Sequence, residues 1–128
     1  MKIKTIINDI IFNTTVEDNL PAKEFLEILP LNIYMEKEKD SYAHYIEYKL
    51  DKEETIPEEL NAGDILLEGN NKIILVTSTN SNKNKYTRLA SIDNPDNLEL
   101  ILEINEKPIR FENKEQIIYN KKGDESEK

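Results

Sequence analysis

At 128 residues, with a formal net charge of −9 and a pI of about 4.7, the chain has room for one domain and one core, and its acidity speaks against nucleic acid, whose phosphates are held by lysine and arginine. Hydrophobic residues make up 38% and charged residues 34%, a globular composition, and no apolar run approaches the ~20 residues of a membrane span, so no membrane association is expected. Cysteine is absent, which excludes disulfides, thiolate nucleophiles and cysteine-held metals.

The start of the chain, Met1 to Asp9, turns polar before an apolar signal segment has formed, and the expected compartment is the cytoplasm. Lys2 to Ile7 and Ile10 to Val16 are rich in Ile, Phe and Thr and flank Asn8-Asp9, which predicts a hairpin. Asn19 is placed to cap a helix over Leu20 to Leu29, with Pro21 near its start and Pro30 ending it. Ala22, Phe25, Leu26 and Leu29 share one face of that helix, as expected of a plug over the open end of a sheet.

Beyond Pro30 the period changes to two. Leu31, Ile33 and Met35 alternate with Asn32, Tyr34 and Glu36, and after a charged turn Tyr42, His44, Ile46, Tyr48 and Leu50 alternate with Ala43, Tyr45, Glu47 and Lys49, predicting two half-buried strands. Asp51 to Asn61 is acidic and aperiodic, a loop. Ile65-Leu66-Leu67 and Ile73 to Thr77 are continuous apolar runs that predict strands buried on both faces, joined by a turn at Gly69-Asn70-Asn71. Ser78 to Lys85 has no apolar anchor and is expected to be a mobile loop. Tyr86 to Ile92 continues as a strand, Asn94-Pro95 turns, and Leu98, Ile101 and Leu102 suit a second short helix. Residues 103–119 form a C-terminal extension with two strand-like clusters, Pro108 to Phe111 and Gln116 to Tyr119, that suit a hairpin, and residues 120–128 read as a disordered tail.

Many short strands with one helix after the second strand and another near the end predict a mainly β protein, a small closed or nearly closed barrel with two short helices. Four features then carry a resemblance: Ala22-Lys23-Glu24-Phe25-Leu26-Glu27-Ile28-Leu29-Pro30, the Gly63-Asp64-Ile65 strand with its Gly69 turn, Tyr86-Thr87-Arg88, and Ile92-Asp93-Asn94-Pro95. In this order the chain resembles the small bacterial cyclophilin-like proteins, over about residues 1–102. The resemblance implies a cyclophilin-like barrel and raises prolyl isomerase activity as an alternative to a non-catalytic peptide or small-ligand binding module. Isomerisation needs an apolar proline pocket and a positioned guanidinium. The Phe-x-x-x-x-Phe-His-Arg segment that supplies these in eukaryotic-type cyclophilins is absent, as is tryptophan. The resemblance also implies relatives that occur with flavodoxin-like partners in an accessory role, and the extension offers a surface for a protein partner.

Charge is unevenly spread. Glu36 to Glu59 holds nine acids against four bases, whereas the charged residues from Gly69 to Ile92 are Lys72, Lys83, Lys85 and Arg88. Arginine is rare here, two residues beside fifteen lysines, and its planar fork suits bidentate recognition, so Arg88 with Tyr86, Lys83 and Lys85 is the candidate site for a peptide or small anionic ligand. The plainer reading is an outward-facing arginine paired with a carboxylate beside a solvated loop. His44 is the sole imidazole, and a lone histidine on a strand is most often structural or exposed. Asp64 and Asp93 stand beside turn residues, where aspartate accepts backbone N–H bonds. Asp93 to Asn97 lacks the glycine and distant glutamate of a calcium loop. Neither a catalytic constellation, a metal site nor a cofactor is expected.

Overall fold

The structure is a computed structural model that describes residues 1–104 and 108–114. Its elements run in chain order as strands β1 (Lys2–Ile7) and β2 (Ile10–Val16), helix α1 (Leu20–Glu27), and strands β3 (Leu31–Tyr34), β4 (Glu36–Lys37), β5 (Ser41–Tyr45), β6 (Glu59–Leu60), β7 (Asp64–Glu68), β8 (Lys72–Val76), β9 (Asn80–Ser81) and β10 (Thr87–Ile92), then helix α2 (Leu98–Ile104) and strand β11 (Pro108–Asn113). Nine strands form one antiparallel sheet in the order β3-β11-β1-β2-β10-β7-β8-β5-β4. The two ends of this order, β3 and β4, are joined through Met35 alone, so the sheet curls until its edges meet as a nearly closed barrel. The mainly β barrel with two helices expected from the sequence is what the chain forms.

The first hairpin follows local chemistry. Ile7 and Ile10 pair directly, and the two-residue connection is made possible by Asn8 at φ 57°, a left-handed conformation that asparagine tolerates. Asn19 caps α1 as expected, its Oδ1 accepting from the Ala22 N–H at 2.8 Å, and Pro21 occupies the first turn, where its missing N–H costs nothing. Ala22, Phe25 and Leu29 enter the main core, where Phe25 meets Phe111 of β11 edge to face at 5.5 Å. Leu98 and Leu102 of α2 join the same core.

The apolar runs of β7 and β8 are buried on both faces, as expected. Ile65, Leu67, Ile73 and Leu75 point into the barrel, while Leu66, Ile74 and Val76 point outward into a second cluster with Ala43, Leu60 and Tyr86. That outer cluster is covered by a segment the sequence reads as two loops. Glu59 and Leu60 pair with Ser81 and Asn80, and Thr55 bridges Tyr86. The 78–85 segment, expected as a mobile loop, is instead fastened by polar side chains: Asn82 donates to the Pro57 and Asn84 carbonyls, Thr79 Oγ1 accepts from the Ala62 N–H, and Ser78 donates to Glu99. Asparagine and threonine bond backbone groups readily, and here they anchor what apolar residues do not.

One further expectation is revised. The strand expected from Tyr42 to Leu50 ends at Tyr45: the Ile46 N–H still meets the Asn71 carbonyl in register at 2.8 Å, but the Leu50 N–H donates to the Asn70 carbonyl at 2.8 Å, out of step with the ladder. Ile46 and Leu50 are buried while His44 and Tyr48 of the same supposed face are exposed. Beyond Leu102, the cluster around Pro108–Phe111 forms β11, which lies inside the sheet between β3 and β1. Its expected hairpin partner, Gln116 to Tyr119, and the 120–128 tail lie outside the described residues.

Candidate functional site

The local pattern of 31–50 is that of a single hairpin, and it zips for two pairs: Glu36 with Ala43 and Lys37 with Tyr42. At Met35 the two arms part. One arm, β3, pairs with β11, from Leu31 opposite Phe111 to Tyr34 opposite Pro108. The other continues along β8, from Ser41 opposite Val76 to Tyr45 opposite Lys72. Between them lies a cleft of about 310 Å³ lined by Leu31 to Tyr34 on one side and His44 to Tyr48 on the other.

The base and rim of this cleft differ in chemistry. Ile33 and Ile46 are buried and belong to the barrel core. Tyr34, Tyr45 and Tyr48 are 60%, 61% and 48% exposed, large apolar rings left at the surface around one cavity. Glu47 and His44 are exposed beside them. The Lys72 ammonium sits 5.7 Å from the centre of the Tyr45 ring and binds Glu38 at 3.0 Å and Glu68 at 3.4 Å, while Lys37 sits 5.4 Å from the Tyr42 ring. The hydrogen bond to Glu38 raises the Lys72 pKa, against the opposing pull of its burial.

Sequence reasoning missed this cleft. An unbroken hairpin and a forked one have the same alternation. The available signal was the cluster of tyrosines flanking the lone histidine.

Of the residues singled out in the sequence, His44 lines this cleft, and the candidate ligand site of Arg88, Tyr86, Lys83 and Lys85 lies elsewhere. Arg88 pairs with Leu66 across β7, so its side chain projects on the outer face of the barrel with Tyr86. It is one-third exposed and its Nη1 lies 3.4 Å from Asp64 Oδ2, a carboxylate that is almost fully buried and also accepts from the Asn61 N–H at 2.9 Å. The Tyr86 side chain is buried in the outer cluster, and Lys83 and Lys85 are exposed. The structure thus brings Arg88 together with Asp64.

Asp64 accepts a backbone N–H as expected. Asp93 does not: its carboxylate accepts from Lys2 Nζ and Thr15 Oγ1, both at 2.5 Å, and these two bonds, Lys2 first, hold its pKa below the usual carboxylate value. The turn bond there is made by Asn94, whose Oδ1 accepts from the Asp96 N–H. This turn and Ile11 to Asn13 line a second, more polar cleft of about 530 Å³. Among the described residues, no group of three or more His, Cys, Asp or Glu is placed to hold a metal, and no helix is long and apolar enough to cross a membrane.

A family model described as the cyclophilin-like family matches residues 5–112. The match runs from β1 into β11, and so takes in both arms of the fork. No curated protein and no solved structure matches the chain.

Proposed function

Since the chain belongs to the cyclophilin-like family, we propose that it is a non-catalytic binding module that takes an extended peptide into the cleft between β3 and the 44–48 segment. The observation that carries this reading is the fork itself, two diverging chain segments over an apolar base with aromatic side chains at the rim. A ladder left open on one side is a template for an added strand, and pockets for alternate side chains give such binding its selectivity. The cytoplasm is the compartment we assign to this binding.

The isomerase alternative has less support. It requires a guanidinium over an apolar proline pocket, and Arg88 lies on the outer face against Asp64. For a small anionic ligand, the exposed part of Arg88 with Lys83, Lys85 and the Tyr86 hydroxyl remains the candidate, with the Asp64 carboxylate working against it.

Titrating the isotope-labelled protein with a proline-containing peptide, and recording exchange between the peptide's cis and trans signals, separates these readings. The expected result is amide shifts at 31–34 and 44–48 with no acceleration of exchange. Accelerated exchange lost in Arg88→Ala would replace the binding module with an isomerase. Shifts confined to 83–88 would move the site to the outer face.

A further inference from the structure

We infer that the cleft between β3 and the 44–48 segment selects a peptide by a cationic side chain, a lysine or arginine of the peptide seated among Tyr34, Tyr45, Tyr48 and Glu47. The inference rests on the peptide-cleft reading above and adds the chemistry of what enters.

Three observations converge on a cation. The first is that tyrosine rings in this corner of the molecule already lie within cation–π range of ammonium groups, Lys72 near Tyr45 and Lys37 near Tyr42, close to the ~6 Å limit of that attraction. The second is charge. Among the described lining residues Glu47 is the carboxylate and none is lysine or arginine. Two cations lie on the neighbouring strands, Lys72 opposite Tyr45 and Arg110 opposite Asn32, and both are bound by carboxylates, Lys72 by Glu38 and Glu68 and Arg110 by Glu112. The stretch that leads into the cleft, Glu36 to Lys49, carries four acids against three bases in a chain of net charge −9, so Glu47 and the charge of the molecule as a whole favour a positive ligand over a negative one. The third is shape: an apolar base at Ile33 and Ile46 below a tyrosine and carboxylate rim suits a side chain with a methylene stem and a charged tip, which describes lysine and arginine.

The test uses the full chain and three acetylated, amidated peptides of about five residues, long enough to span β3 in extended form. All are rich in valine and threonine and differ only at the centre, which is lysine, norleucine or glutamate. Amide shifts at 31–34 and 44–48 are followed for the wild type and for Glu47→Gln, an exposed position whose change leaves the fold intact. The lysine peptide is expected to bind roughly three- to tenfold more tightly than the norleucine peptide at low salt, as one rim-exposed cation contact allows, and Glu47→Gln to remove much of that margin. Equal binding of the lysine and norleucine peptides overturns the cation inference and leaves the peptide cleft standing. Preference for glutamate also overturns it. If no peptide shifts these amides, the cleft reading falls and the cation inference falls with it.

Discussion

At the scale of single residues, Gly63 and Gly69 separate two reasons for a glycine. Both have positive φ, 95° and 63°, which L side chains rarely adopt. At Gly69 a Cβ would meet nothing within 4 Å, whereas at Gly63 it would lie 3.1 Å from Pro95 Cβ and 3.3 Å from the Ile92 carbonyl oxygen. Gly63 also donates to Val76 and accepts from Ile92, so its backbone cannot shift to relieve the crowding. Gly69→Ala is expected to cost about 1 kcal/mol and Gly63→Ala distinctly more, about 2–3 kcal/mol, read as the difference in urea midpoints. Asp93 makes a prediction about pH. Lys2 and Thr15 depress its folded pKa, so its contribution is complete above the ordinary carboxylate range and is lost as pH falls through the depressed value. The carboxylate is about one-third exposed, and screening holds that contribution to about 0.5 kcal/mol. Asp93→Asn should therefore be slightly destabilised at neutral pH, with the gap closing as denaturation is followed into acid. An Asp93→Asn gap that persists or widens in acid would assign the effect to packing.

At the scale of elements, α1 depends on one side chain that works in two directions. Asn19 Oδ1 accepts from the Ala22 N–H, and Asn19 Nδ2 donates to the Arg88 carbonyl at 2.9 Å, tying the helix start to β10. Asn19→Ala removes both bonds and should cost about 1–2 kcal/mol, while Asn19→Asp keeps the cap acceptor, loses the donor and should cost less. Equal losses in the two variants, measured by thermal or chemical denaturation, would mean the cap contributes nothing. This helix and the Asn8-Asp9 hairpin were legible in the sequence because their signals are local: a capping residue three positions from its target, a turn between two β-rich runs. The β6–β9 pair was not legible. Each strand has two residues, their partners are distant in sequence, and the polar side chains that fasten them carry no period.

At the scale of the whole molecule, the sheet is most deeply covered where apolar runs meet on both faces. β7 and β8, with β10 beside them, should hold the slowest-exchanging amides, and β3 and β4 at the two ends of the strand order the fastest; uniform protection across the sheet would contradict this. The doubly buried centre was readable from Ile65-Leu66-Leu67 and Ile73 to Val76. The fork was not, because what opens it is β11, far along the chain, claiming β3 as a partner. Arg88 was recognisable as a rare residue, but its pairing with Asp64 depends on the β7–β10 register, which shifts between Arg88 and Ala90. Met35 has one more consequence. It is buried at the point where the arms divide, so the cleft is a wedge shut at one end, and four residues of β3 set its length. At about 3.3 Å per residue that is a ruler of about 13 Å. A chain laid against β3 would run out of wall after about four residues and have to turn away, so under the proposed peptide reading the fold that opens the cleft also measures its ligand.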